Sequence, residues 1–183
     1  MSNGATTRLS QLSPAKRALL EKRLRSGQAR MVQETIERRK NGENTLPLSF
    51  AQQRLWFIDQ LEPGRATYNM ATPLRLTGPL KIAALERCLN EIIRRHESLR
   101  TTFTQNFARE PVQVIAPELK LSLQIEDLSN LADREAEAMV LASAEAKQPF
   151  DLERGPLVRA RLLRLAAEDH VLLFTTHHII SDG

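Results

Sequence analysis

An apolar stretch, Val171 to Thr176, runs directly into His177-His178-Ile179-Ile180-Ser181-Asp182-Gly183. Imidazole is the side chain whose ordinary pKa lies closest to neutrality, which makes a histidine at the end of such a stretch a candidate general base or acid. Consecutive side chains of an extended chain point to opposite faces, so His177 and His178 do not easily share one ligand. One ring can face a cavity while the other is held in the protein. A two-histidine metal site is disfavoured further because His96 and His170 are isolated and no other Cys, His or carboxylate stands at ligand spacing. Asp182, four residues beyond His178, stands where a tight turn lets a carboxylate orient local structure, and Gly183 lets backbone approach a ligand closely. Taken alone, H-x-x-x-D-G fits a histidine satisfied at a strand end as well as a catalytic one.

The elements that must position these residues are legible from periodicity and punctuation. Ser49 reads as the cap of a short amphipathic helix carrying Leu55, Trp56, Ile58 and Leu61, closed by Pro63-Gly64. Tyr68 to Thr77 reads as a strand with Met70, Thr72, Leu74 and Leu76 alternating, ended by Gly78-Pro79. From Leu80 to His96 the residues Ile82, Leu85, Leu89, Ile92 and Ile93 recur at helical spacing, with Glu86, Arg87, Asn90, Glu91 and Arg94 expected outside. Leu99 to Phe107 and Pro111 to Ile115 read as strands around a turn, and LKLSLQIEDL as another strand. Leu131 to Lys147 is an Ala-rich helix stopped by Gln148-Pro149. Val158, Ala160 and Leu162 alternate with Arg159 and Arg161 in a further strand. Ala166 to His170 makes a turn into the last, doubly buried one. This irregular mixture predicts an α/β (α+β) fold, a mixed sheet with flanking helices.

Composition narrows the function. The 183 residues are 42% hydrophobic and 26% charged, enough to bury a core. The net charge of +4 is not spread evenly. Residues 1–45 hold ten Lys and Arg against four Glu, and residues 46–183 hold sixteen against eighteen acids. A basic leader before a slightly acidic body, with 4% aromatics, argues against a nucleic-acid function and for a tail that meets an acidic protein surface. Within the leader, Ser13-Pro14 opens a helix with Leu19, Leu20 and Leu24 on one face, a second helix is expected from about Gln28 to Lys40, and Asn41 to Pro47 marks a boundary. The longest uncharged run, Val171 to Ser181, falls short of the about 20 residues of a membrane span, and no signal-type stretch begins the chain. The expectation is a cytoplasmic protein without membrane contact. Cys88, the single cysteine, is expected on the apolar side of its helix as a small core residue.

SFAQQRLWFIDQL (Ser49 to Leu61), RRHESLRTTF (Arg94 to Phe103) and TTHHIISDG (Thr175 to Gly183) resemble, in order and spacing, the first three signature segments of nonribosomal peptide synthetase condensation domains. The resemblance runs from about Leu46 to Gly183 and includes YNMATPLRLTGPL and ALERCLNEIIRRHESLR. It implies a chloramphenicol acetyltransferase-like fold of two lobes with the active site in a tunnel between them. Residues 46–183 are then the N-terminal lobe, with the chain cut at Gly183 and the C-terminal lobe missing. Residues 1–45 are a basic helical linker or docking segment, the latter toward an upstream synthetase.

By that resemblance His178 is the catalytic residue, deprotonating or holding in line the amine of an acceptor aminoacyl thioester as it attacks a donor thioester carbonyl. Gly183 offers its backbone N–H to the oxyanion. Asp182 is structural and pairs with Arg100, or failing that Arg95, while His177 packs and hydrogen-bonds. Ser49, Gln52, Arg54 and Trp56 build the floor of the lobe. The resemblance further implies no metal and no intrinsic cofactor. Phosphopantetheine belongs to the donor and acceptor carrier domains, and an adenylation domain adjoins. HHIISDG with RHESLRTTF resembles the type joining an L-configured donor to an L-amino acid, rather than the epimerization or heterocyclization relatives. Two other readings stand beside it: a catalytically incomplete fragment that only docks or binds, and another acyltransferase of the same fold.

Overall fold

The computed structural model describes residues 44–181. The two leader helices expected between Pro14 and Lys40, together with Asp182 and Gly183, lie outside the described residues. The elements are β1 (Thr45–Pro47), α1 (Phe50–Leu61), β2 (Asn69–Thr77), α2 (Ile82–Arg95), a 3-10 turn (Glu97–Arg100), β3 (Thr101–Gln105), β4 (Pro111–Ile115), β5 (Gln124–Asp127), α3 (Arg134–Lys147), β6 (Val158–Ala166) and β7 (Asp169–His177). They build two sheets, an antiparallel three-stranded one in the order β1-β4-β3 and a mixed four-stranded one in the order β2-β7-β6-β5. In the latter only β5 and β6 run parallel.

The four-stranded sheet is covered on both faces, which explains its apolar run. Leu162 and Leu172 point into a core shared with Leu48, Ile93, Leu99, Phe103 and Leu157. Their neighbours Leu163 and Leu173 point the other way, onto Ala138, Leu141 and Ala142 of α3. Period-two alternation thus delivers leucine to both sides because helices lie on both. β2, at one edge, is mostly exposed. Its Pro73 costs nothing there, since an edge strand tolerates a residue without an N–H. Leu74, expected on the buried side, is 46% exposed, whereas Leu76 packs against the core.

Four expectations about these elements need correction. The segment Leu119 to Leu128 is a strand only over Gln124–Asp127, because its first half hydrogen-bonds to α2 instead of to a strand. Asn90 Nδ2 donates to the Leu121 carbonyl (2.9 Å), Asn90 Oδ1 accepts from the Leu121 N–H (2.8 Å), and Glu86 accepts from the Leu123 N–H (3.3 Å). Glu86 and Asn90 therefore face inward rather than outside. The same rotation of α2 leaves Cys88 exposed, not in the core. At 100° per residue it falls on the flank shared with Ile92, itself 47% exposed, while Ile93 is fully buried. Fourth, the turn before the last strand narrows to Ala167–Glu168, placing His170 inside β7.

Local chemistry fixes the ends. Ser49 and Gln52 form a reciprocal capping box at the start of α1. Asp133 caps α3, whose first turn carries Glu135 and Glu137, the sign its N-terminal dipole favours. Gly155, before β6, adopts φ 62°, and a Cβ there would lie 2.8 Å from Thr102 Cγ2, so only glycine fits the approach of β3 to this turn.

Candidate active site

β7 is the inner strand that carries the histidine pair, hydrogen-bonded to β2 and β6 along its length. At its end the ladder finishes on both sides. The His177 N–H donates to the Leu157 carbonyl (3.0 Å) and the His178 N–H to the Tyr68 carbonyl (2.9 Å). The chain then turns, with the Ile180 N–H on the His177 carbonyl (3.1 Å) and the apolar Ile179 and Ile180 buried at 3% and 5% exposure. This turn is also tied to α1. Gln52, with its Oε1 engaged by the Ser49 N–H (3.0 Å), donates through Nε2 to the Ile179 carbonyl (3.4 Å).

The two imidazoles have different environments. His177 is 3% exposed, with its ring edge-on to Phe150 (centroids 6.2 Å apart) and tilted against Tyr68 (6.3 Å). Burial, and secondarily the neighbouring His178, pushes its pKa down to about 4. The Ile179 N–H donates to His177 Nδ1 (3.2 Å), so the neutral ring carries its proton on Nε2. His178 is only partly buried. Its Nδ1 lies 2.9 Å from the Ser181 carbonyl, an atom that can only accept, so the neutral ring carries its proton on Nδ1. Adjacent histidines thus hold opposite tautomers. Among the described residues none engages His178 Nε2, whose lone pair is left for chemistry.

Residues not singled out from sequence support this arrangement. The final carbonyls of α3 lack intrahelical partners, as at any helix C-terminus. Asn69 Nδ2 meets those of Ala146 (2.9 Å) and Gln148 (2.7 Å), and Arg159 Nη2 meets that of Gln148 (2.8 Å). The Arg159 guanidinium also lies 3.8 Å above the Phe150 ring and pairs with Glu145 (2.6 Å). Phe150 is thereby set against His177. No periodicity signals these contacts, which join residues remote in sequence.

Of the two arginines expected near Asp182, Arg100 is largely buried, its guanidinium bonded to the Ala116 carbonyl and paired with Glu97 (3.4 Å). Arg95 is on the outer side of α2, its side chain 67% exposed and paired with Glu91 (2.8 Å). Ser49 and Gln52 do hold the start of α1, and Trp56 packs against the core, while Arg54 is exposed. Three clefts, of about 360, 570 and 540 Å³, open elsewhere on the surface, and His178 lines none of them. No described helix is long and apolar enough to cross a membrane. No group of three or more His, Cys, Asp or Glu among the described residues is arranged to hold a metal ion.

The sequence pattern of the family described as Condensation domain matches residues 42–183. The chain belongs to the condensation domain family of nonribosomal peptide synthetases. This condensation-domain chain is 46% identical over 179 residues to phosphinothricin tripeptide synthetase PhsC of Streptomyces viridochromogenes, covering 97% of the chain and 16% of that relative. It is 51% identical over 142 residues to chondramide synthase cmdD of Chondromyces crocatus, covering 76% of the chain and 4% of that protein. The chain therefore spans a small fraction of these curated relatives. Among solved structures it resembles the starter condensation domain of rhizomide synthetase RzmA, with TM-score 0.71 and 32% identity over 76% of the chain and 33% of that structure. It also resembles the first condensation domain of the CDA synthetase, with TM-score 0.68 and 25% identity over 75% of the chain and 36% of that structure. The fold is accordingly the chloramphenicol acetyltransferase-like one, as the motif resemblance implied.

Proposed function

We propose that this chain is the N-terminal lobe of a domain that joins a carrier-bound donor acyl or peptidyl thioester to the amine of a carrier-bound acceptor aminoacyl thioester. The observation that carries the reading is the contact of His178 Nδ1 with the Ser181 carbonyl (2.9 Å) just beyond the end of β7, which leaves Nε2 without a partner among the described residues. The acceptor amine attacks the donor carbonyl, forming the C–N bond. Its proton passes to His178 Nε2, and collapse of the tetrahedral adduct breaks the C–S bond. The proton then neutralises the departing thiolate. An α-amine of ordinary pKa about 8 is already partly neutral near pH 7, so the demand on the base is modest and alignment of the reactants contributes much of the effect.

His177 serves this reaction as a neutral, buried buttress. Gly183 donates its N–H to the oxyanion, and Asp182 pairs with Arg100 to hold the turn. Arg95, on the exposed outer side of α2 where solvent weakens a charge pair, is the weaker partner for that carboxylate. The donor is L-configured, and both substrates arrive on phosphopantetheine arms of separate carrier domains, the acceptor loaded by an adjoining adenylation domain. A second lobe closes the tunnel over His178, consistent with the open setting of that ring on this lobe. Residues 1–45 form the basic linker or docking segment and residues 46–183 the lobe.

The test is product formation by the full-length protein carrying His178→Ala, supplied with loaded donor and acceptor carriers. Losing a positioned base reduces kcat by about 10²–10⁴-fold. Undiminished product would remove His178 from the chemistry.

A further inference from the structure

We propose that Ser181 is a positioning residue for His178, its hydroxyl latched between Thr176 and Met70 so that its own carbonyl stays on the imidazole Nδ1. The proposal rests on the reading of His178 Nε2 as the base. Ser181 occupies one of the unspecified places of H-x-x-x-D-G, and the motif assigns it nothing.

Three contacts carry the inference. The Ser181 carbonyl is 2.9 Å from His178 Nδ1, the hydroxyls of Ser181 and Thr176 are 2.9 Å apart, and Ser181 Oγ is 3.6 Å from Met70 Sδ. A thioether sulfur can only accept, so the Ser181 hydroxyl donates to Met70, and Thr176 must then donate to Ser181. The chain of donors has a single direction, Thr176 to Ser181 to Met70. Thr176 is 6% exposed within β7, and Met70 lies opposite it in the β2–β7 register. The latch is thus anchored in two paired strands, and Ser181, beyond the end of β7, is the residue that it holds.

The turn needs such an anchor. The His177 carbonyl receives the Ile180 N–H, and the Ile179 carbonyl receives Gln52 Nε2. Among the described residues the Ser181 carbonyl receives only the ring it orients, and a carbonyl so held by a rotatable imidazole constrains that ring weakly. The hydroxyl contact closes a loop from Thr176 to Ser181 around the histidine pair and sets the angle at which that carbonyl meets Nδ1. Which ring nitrogen bears the lone pair is decided by the hydrogen bond made at the other. Without the latch the ring samples the Nε2–H tautomer, in which the nitrogen facing the reactants already carries a proton.

The experiment compares Ser181→Ala, Thr176→Val and Ser181→Thr in the full-length protein. It reads kcat and acceptor KM with loaded carriers, and the His178 tautomer by NMR of ¹⁵N-histidine-labelled protein. Loss of the latch lowers kcat about fivefold in both Ser181→Ala and Thr176→Val, the size of one neutral hydrogen bond, with acceptor KM unchanged. Because both variants break one latch, their combination is no worse than either alone. The Nε2–H signal grows in both, and Ser181→Thr, which keeps the hydroxyl, restores rate and tautomer. Native kcat with His178 still protonated on Nδ1 in Ser181→Ala overturns the proposal. Should Ser181→Ala fail to fold, Thr176→Val, nearly isosteric, decides the question by the same two readouts. If His178→Ala retains full product formation, the base assignment falls, and the tautomer readout separately decides whether Ser181 holds the ring.

Discussion

His177 and His178 have the same side chain, and their different environments come from one residue's step along the chain at the end of a strand. The step sends His177 between Phe150 and Tyr68 and leaves His178 at the turn. Burial makes His177 a poor proton acceptor, and this has a consequence for stability. Its pKa falls from an ordinary 6.5 to about 4 on folding. Below pH 6.5 the unfolded chain binds a proton there that the folded one refuses. The contribution from this source is therefore undiminished above pH 6.5, lost progressively as pH falls toward 4, and gone below it, on the order of 3 kcal/mol. Urea unfolding of wild type and His177→Gln at pH 7 and pH 4.5 measures it. Carboxylates titrate in both proteins, so the signal is the smaller pH dependence of the variant, and parallel curves would count against the assignment. From the sequence, the alternation of a strand already separates the two rings, and the family resemblance selects the second. Neither discloses the opposite tautomers, because these depend on the Ser181 carbonyl and the Ile179 N–H, positions fixed only once the turn is built. Cys88 shows the converse failure, where helical spacing places a residue near the apolar stripe but cannot say how far the stripe extends.

At the scale of elements, the helices and most strands follow from caps, proline and glycine punctuation and periodicity, since each of those signals is local. What escapes is any element whose hydrogen bonds go to a side chain. Leu119 to Ser122 has strand-like alternation, yet its partner is the amide of Asn90, which supplies one donor and one acceptor to Leu121 in the way a neighbouring strand would. Asn90 in turn reads as an outward polar residue because its purpose lies 31 residues away. The arrangement predicts that Asn90→Ala is far more costly than an exposed asparagine substitution. Both backbone groups of Leu121 lose their partner in a part-buried place, a cost of about 2 kcal/mol. For a domain of this size that corresponds to roughly 4–8 °C in Tm. Thermal denaturation of the Asn90→Ala domain checks it, with Arg87→Ala on the exposed side of the same helix as the control expected within about 0.5 kcal/mol of wild type. Equal melting of all three proteins would mean the segment is held by its leucines alone.

Across the whole molecule the charge is divided in a way that a reaction between separate carriers would exploit. Ten basic residues against four acidic ones precede residue 46, and the remainder carries sixteen against eighteen. The excess of positive charge lies in the leader sequence, and it suits capture of an acidic partner surface. Electrostatic capture acts mainly on encounter and weakens as salt shortens the screening length to about 8 Å at physiological ionic strength. Removing residues 1–40 should accordingly weaken transfer from an upstream donor carrier supplied as a separate protein, most strongly at low salt, through a higher donor KM at unchanged kcat. When the donor carrier is fused covalently to the domain, effective concentration replaces capture, and the same deletion should leave the rate intact. Steady-state condensation measured in both formats, at about 20 and 300 mM salt, a range over which screening changes strongly, separates the two. Equal loss in the separate and fused formats would place the leader's contribution in the stability of the domain instead of in docking, and salt-independent loss would argue that whatever it contacts is apolar.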